Sequence, residues 1–157
     1  MLRLFLFFPL LLLSQDLFTL PDEAAHFLDS YNQDLLQTKK EVYLFSQEIN
    51  DYTLVKTLKK LSKDNISIVI ISQESSSLEN KAYYLNLFEG VILYALPTNE
   101  QRSLKGSLTC IDNKRLYILS ESLHKLSLRN NYSFVLRKDT PCKFIFDKLI
   151  QKSIKRQ

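Results

Sequence analysis

Lys105–Ser122, KGSLTCIDNKRLYILSES, decides the fold. Leu108, Cys110 and Ile111 carry one apolar strand, and Leu116, Tyr117, Ile118 and Leu119 carry a second. Between them stands Asp112-Asn113-Lys114. Asp and Asn tolerate the backbone conformations of tight turns and satisfy turn amides with their own side chains. Strand, polar turn and strand make a β-hairpin. Such a hairpin must bury its apolar residues against something, and the rest of the chain supplies the layers.

Upstream, two short apolar runs flank an amphipathic helix. Val42–Ser46 (VYLFS) and Ile66–Ser72 (ISIVIIS) are rich in β-branched and aromatic residues, the composition of buried strands. Asn50-Asp51 caps the helix between them. Leu54, Val55, Leu58 and Leu61 form its apolar face, and Lys56, Lys59, Lys60 and Lys63 its wet side. Strand, helix and strand of this kind form a βαβ unit and call for a parallel sheet. A helix starting at Pro21-Asp22-Glu23 precedes the unit, with Phe27, Leu28, Tyr31, Leu35 and Leu36 at helical spacing, and Leu17–Leu20 is a short apolar segment before it. A helix over Leu78–Phe88 and a strand over Val91–Leu96, separated by Gly90, follow the unit.

Downstream of the hairpin come a short helix or turn (Leu123–Leu128), a strand (Tyr132–Arg137) and a last helix from Thr140-Pro141 with Phe144, Phe146, Leu149, Ile150 and Ile154 on one side. The basic tail Lys152–Gln157 is expected to fray. This order predicts an α/β protein, a three-layer α-β-α sandwich whose mixed sheet has helices on both faces. At 157 residues the chain holds one domain, expected over 17–157. Two glycines are too few for a phosphate-cradling glycine loop, and no nucleotide motif of that kind occurs.

Residues 1–14, MLRLFLFFPLLLLS, combine Arg3 with the apolar run Leu4–Leu13. The run has the length of a signal-peptide core and is short for a bilayer span. The expectation is an export signal, with a mature chain starting near Gln15 or Asp16 in the periplasm or outside the cell. The alternative is an uncleaved N-terminal anchor. Cys110 and Cys142 are too widely spaced for a Cys-x-x-Cys redox or zinc motif. In an oxidising compartment they pair, or remain two separate thiols.

The hairpin segment also resembles the signature of the phospholipase D superfamily, H-x-K-x4-D followed by a Gly-Ser pair and an Asn. With Asp112 on the signature aspartate, Lys105 stands at the His, Ser107 at the Lys, Leu119 at the Gly, Ser120 at the Ser and Ser122 at the Asn. Only Asp112 and Ser120 keep the signature residue. The order of leader, helix, strand, helix and strand before the hairpin is similar to single-motif phospholipase D-like proteins, which include small exported bacterial endonucleases. The resemblance covers nearly all of the chain after the leader.

That resemblance implies a chemistry. The family's His attacks phosphorus, a second His protonates the leaving oxygen, and the Lys neutralises phosphate charge, without metal or cofactor. A chain with one motif must dimerise to bring two His together. Lys105 and Ser107 cannot fill these roles, so the family mechanism is expected to be absent or very weak. His124 is the nearby candidate for a substitute acid, base or nucleophile, against a plain solvent-facing His. Lys105, Lys125 and Arg129 are candidates for a phosphate-binding patch, against ordinary solvated charge. Asp112 and Ser120 are expected to hold the hairpin and its following turn.

Three function classes stand open. One is a catalytically degenerate phospholipase D-like module that binds DNA or phospholipid headgroups, as a homodimer or as the inactive partner of a catalytic relative. Another is a working phosphodiesterase with rearranged residues. The third is an envelope interaction protein without a phosphate ligand. A net charge of +4 does not separate them.

Overall fold

The computed structural model describes residues 15–73, 80–97 and 106–156. The leader segment 1–14 and Lys105 lie outside the described residues. In chain order the elements are β1 (Gln15–Leu20), α1 (Ala24–Leu36), β2 (Glu41–Ser46), α2 (Tyr52–Lys63), β3 (Ser67–Gln73), α3 (Ala82–Leu85) and β4 (Val91–Leu96). They continue with β5 (Ser107–Ile111), β6 (Arg115–Leu119), α4 (Lys125–Asn130), β7 (Ser133–Asp139), α5 (Lys143–Gln151) and β8 (Ile154–Arg156).

The strands form one mixed sheet in the order β1-β7-β6-β5-β2-β3-β4-β8. β2, β3 and β4 run parallel, and β5 joins β2 in antiparallel register from Val42↔Ile111 to Ser46↔Ser107. Both faces of the central strands are covered, which is why their sequences run continuously apolar instead of alternating. Val42, Leu44, Ile68 and Ile70 belong to one core with Phe27, Tyr31 and Leu35 of α1 and Leu54, Leu58 and Leu61 of α2. Tyr43, Phe45, Val69 and Ile71 belong to the other, with Phe146 of α5. The result is the three-layer α-β-α sandwich expected from the sequence.

Local signals explain the ends of the elements. The Asp51 carboxylate accepts the Leu54 N–H at 2.9 Å and caps α2. Asp112 and Asn113 adopt φ of 51° and 52°, and Lys114 N–H donates back to the Ile111 carbonyl at 2.9 Å. Two consecutive left-handed residues closed by that bond make a type I′ turn. At the far end of β5, Gly106 has φ of 84°, and a Cβ there would meet the Leu119 carbonyl oxygen at 2.1 Å. Glycine alone permits β5 to start so close to the end of β6.

Four expectations are corrected. Leu17–Leu20 is part of a full strand: β1 pairs with β7 from Gln15↔Lys138 to Leu20↔Ser133, so Gln15 and Asp16 belong to the sheet. The tail does not fray over its whole length, and Ile154 does not extend the last helix. Ile154 pairs with Ala95, and β8 closes the β4 edge. Both are edge strands with one neighbour each. A three-residue strand of Ile, Lys and Arg has no periodicity to read, though charge is what protects an edge. Among the described residues α3 is four residues long, against the helix expected over Leu78–Phe88. The short helix after the hairpin begins two residues later than expected, at Lys125, because His124 caps it.

Two features fasten the layers. Asp34 on α1, 9% exposed, accepts from Arg115, from Arg137 Nε at 3.0 Å and from the Tyr117 hydroxyl. Arg137 continues to Asp16 at 2.7 Å and Arg115 to Asp139 at 3.1 Å, so the cluster ties α1 to β6, β7 and β1. On the opposite face Cys110 of β5 is bonded to Cys142, the residue before α5, with Sγ–Sγ of 2.00 Å and Cα–Cα of 5.8 Å.

The disulfide closes a loop of 32 residues, worth about 3–4 kcal/mol by chain-entropy arguments. Denatured, unreduced protein is expected to take up no maleimide, and reduction to lower the melting temperature by about 10 °C. For the ionic cluster, Asp34→Ala removes the carboxylate that two guanidinium groups and the buried Tyr117 hydroxyl share. It is expected to cost about 3 kcal/mol in urea unfolding, with Asp34→Asn falling between it and wild type.

Candidate functional site

The two ends of β5 carry different chemistry. At the hairpin end, Asp112 turns its carboxylate toward the connection between α1 and β2. It accepts the N–H groups of Lys39 (2.9 Å), Lys40 (2.8 Å) and Glu41 (3.1 Å). Its own N–H donates to the Glu41 carbonyl at 2.9 Å. Burial opposes the charge on Asp112, but the three amides and nearby Lys114 outweigh it and hold the carboxyl below its usual value. The side chain is therefore engaged with backbone. Beside it, Asn113 Oδ1 accepts the N–H groups of Cys142 (2.9 Å) and Lys143 (2.8 Å), capping α5 from outside its own sequence.

At the other end, β5 begins where β2 and β3 finish, the edge of a parallel sheet at which ligands commonly bind. Ser107 stands there at 1% exposure. Its Oγ lies 2.9 Å from Ser46 Oγ and 2.9 Å from the Glu121 carbonyl oxygen, two acceptors for one proton. Ser46 Oγ donates to the Glu48 carbonyl at 2.6 Å and accepts the Leu123 N–H at 3.0 Å. Next to this pair, Asn80 Nδ2 donates to Ser72 Oγ at 3.0 Å. Asn80 Oδ1 accepts the N–H groups of Ala82 (3.1 Å) and Ile49 (3.3 Å). Ser46, Ser72, Asn80 and Ser107 are all buried. The edge is thus closed by a neutral network of hydroxyls, an amide and carbonyls, whose hydrogen bonds are made within the protein.

The other sequence candidates gather around the same edge. Ser120 Oγ accepts the Phe134 N–H at 3.1 Å, and its own N–H donates to the Phe134 carbonyl at 3.1 Å, so it extends the β6–β7 pairing. Ser122 is half-buried, and Leu123 after it bridges to Ile49. His124 Nδ1 accepts the Leu126 N–H at 3.2 Å, capping α4. That nitrogen is a hydrogen-bond acceptor here. Lys125 and Arg129 are exposed and four residues apart on α4, hence on one face. Lys125 N–H donates to Asn50 Oδ1 at 3.0 Å, joining α4 to the loop after β2. The structure brings Ser107, Ser122, His124 and Lys125 to one end of the sheet and leaves Asp112 at the other. Among the described residues no three His, Cys, Asp or Glu side chains converge to hold a metal ion. No helix of the described residues is long and apolar enough to cross a membrane.

Sequence reasoning missed Ser46, Ser72 and Asn80. Isolated polar residues at the ends of apolar strands look like strand terminators. Their meaning comes from tertiary contact, with Ser46 and Ser107 61 residues apart.

No protein-family model and no curated protein sequence matches this chain. Solved structures do. NucT from Helicobacter pylori superposes with a TM-score of 0.82 at 18% identity, over 91% of this chain and 99% of that one. Nuc from Salmonella typhimurium, a phospholipase D family member, superposes with a TM-score of 0.73 at 16% identity, over 92% and 98%. TrmBL2, a DNA-binding archaeal chromatin protein, gives 0.64 at 13% identity, over 90% of this chain and 54% of that one. The protein has the phospholipase D-like fold. Within that fold it is similar to NucT and Nuc along nearly their whole length.

The Asp112 clamp has a pH signature. A carboxyl held low in the folded state contributes stability that is complete above its unfolded value, about 3.9. The contribution disappears as pH falls through the lower folded value. Asp112→Asn is expected to cost on the order of 2 kcal/mol at neutral pH and to flatten the stability profile below about pH 5. Urea titrations of the two proteins from pH 7 to pH 2 read both effects.

Proposed function

We propose that the protein is an exported phospholipase D-like domain that binds phosphodiesters without hydrolysing them by the superfamily's histidine route. The observation that carries this reading is Ser107. It stands at the signature lysine position, is 1% exposed and is hydrogen-bonded to Ser46 and the Glu121 carbonyl. A buried hydroxyl with its bonds made inside the protein brings no positive charge to a phosphate. Lys105, at the signature histidine position, is not a phosphorus nucleophile while protonated. A symmetric dimer does not repair the loss, because each copy carries the same replacements. Pairing with a catalytic relative remains compatible with this role.

Binding is a lesser demand than turnover. Lys105, Lys125 and Arg129 place cations on the segments flanking Ser107, and cations attract phosphodiesters without any nucleophile. The DNA binding named for TrmBL2 supports the reading that this fold can serve such a role. Export is supported by the leader Met1–Ser14 and by the Cys110–Cys142 bond, which suits an oxidising compartment.

Purified protein from Gln15 onward is to be tested without metal against DNA, phosphatidylcholine vesicles and a chromogenic phosphodiester. The expected outcome is salt-sensitive binding without turnover, weakened at least several-fold by Lys105→Ala and by Lys125→Ala/Arg129→Ala. Robust turnover that vanishes in His124→Ala would establish a rearranged catalytic site instead. Absence of binding to every phosphodiester would favour an envelope interaction protein.

A further inference from the structure

The outer surface of α2 carries a feature that the signature end does not use. Lys56, Lys59, Lys60 and Lys63 recur at helical spacing on one side, and α2 contains no Asp or Glu. An ordinary solvated helix face interleaves acids and lysines in i, i+4 pairs. Here like charges stand one turn apart, a mildly destabilising arrangement. Among the described residues, Lys56, Lys60 and Lys63 make no ion pair.

The lysines also line a shape. Between α2 and α3 lies an open groove of about 760 Å³, which Lys81 also lines. Tyr52 and Tyr84 line it as well, and they are 74% and 42% exposed. Lys59 is held in place, its Nζ 4.8 Å from the centre of the Phe88 ring and 3.3 Å from the Tyr84 hydroxyl. Among the described residues no carboxylate lines the groove. Asn50 lines it too, and through Lys125 N–H the same residue is bonded to the segment that carries His124. The groove therefore adjoins the signature end.

We propose that this groove binds a single strand of nucleic acid, with its phosphates along the α2 lysines and its bases against Tyr52 and Tyr84. The proposal deepens the phosphodiester reading and rests on it for the class of ligand. Successive turns of α2 present lysines about 6 Å apart along the axis, the scale of one to two nucleotide steps of a strand. Exposed tyrosine rings offer stacking faces that unpaired bases use, whereas the bases of a duplex are already stacked on each other. A concave, ring-lined cationic groove fits a flexible strand better than the flat surface of an anionic membrane.

The test measures binding of a fluorescent single-stranded oligonucleotide, the matching duplex and phosphatidylglycerol vesicles across a salt series. Expected are preference for the single strand and a log–log salt slope of about −3. Lys56→Gln/Lys60→Gln is expected to weaken strand binding about tenfold or more and make the slope shallower by about 1.4. Tyr52→Ala/Tyr84→Ala is expected to weaken it at least fivefold with the slope unchanged. Melting curves verify that each variant is folded, and removing like charges from α2 leaves the lysine variant at least as stable as wild type. Lys125→Ala/Arg129→Ala runs in parallel. If that pair alone loses the strand, the groove assignment fails and the signature-end reading stands. If the protein binds no strand but still binds the chromogenic diester or phosphatidylcholine, the groove proposal again fails alone. Preference for vesicles or duplex, or strand binding unaltered in both groove variants, would also overturn it.

Discussion

One carboxylate holds this molecule's central connection in place. Asp112 collects three consecutive backbone N–H groups, Lys39 to Glu41, from the chain that leaves α1 and enters β2. A carboxylate can do this because it is an acceptor only, with two oxygens and room for several donors. To aim at them it must sit in a turn of left-handed residues, which Asp and Asn tolerate better than most. The same turn presents Asn113 to the opposite layer, where its side-chain oxygen caps α5 next to the Cys110–Cys142 bond. Two adjacent side chains therefore fasten the helix layers on both faces to one β-hairpin. β2 lies beside β5, so its position, and that of β3 and β4 beyond it, depends on this clamp.

The clamp separates two jobs that share one segment. Ser107 opens the five-residue strand that ends at the turn. At the turn end, a charge is needed to satisfy backbone, and the charge is present. At the other end, the resemblance calls for a histidine and a lysine, and the chain supplies Lys105 and Ser107. Ser107 satisfies its own surroundings instead. With Ser46 it bonds the Glu48 and Glu121 carbonyls and the Leu123 N–H, which would otherwise be buried polar groups. A buried lysine at position 107 would need a counter-charge or a bound anion in the same place. A neutral hydroxyl needs neither, and it lets the sheet edge close on itself.

The sequence made the hairpin and the parallel strands legible because their signals are local. Val42–Ser46 and Ile66–Ser72 are apolar on both faces, and Asp112-Asn113 is a turn in almost any context. β1 and β8 were illegible as strands because each has one neighbour and half its surface in water, so neither composition nor period marks it. The Asp34 cluster escaped for another reason. Its members come from residues 16, 34, 115, 117, 137 and 139, and charges in a sequence look solvated until the fold brings them together. The serine–asparagine network at the sheet edge is the same case with uncharged groups. The α2 lysines were visible, but as the wet face of an amphipathic helix. Their lack of acidic partners was also visible, and only the groove beside α3 gave it a direction.

Charge placement adds a last constraint. The chain carries 21 basic and 17 acidic residues, so its excess is small. Several acids are already committed: Asp16, Asp34 and Asp139 to Arg115 and Arg137, Glu41 to Lys143, and Asp112 to backbone. The arginines in these pairs are held under α1, where their planar donors match carboxylates. The exposed cations include Lys56, Lys60 and Lys63 of α2 and Lys125 and Arg129 of α4, two surfaces joined by Asn50. α2, with four lysines and no acid, is a positive stretch on a chain of small net charge. A positive field of that kind acts on polyanions over roughly 10 Å at 0.1 M salt, whatever chemistry the signature end retains.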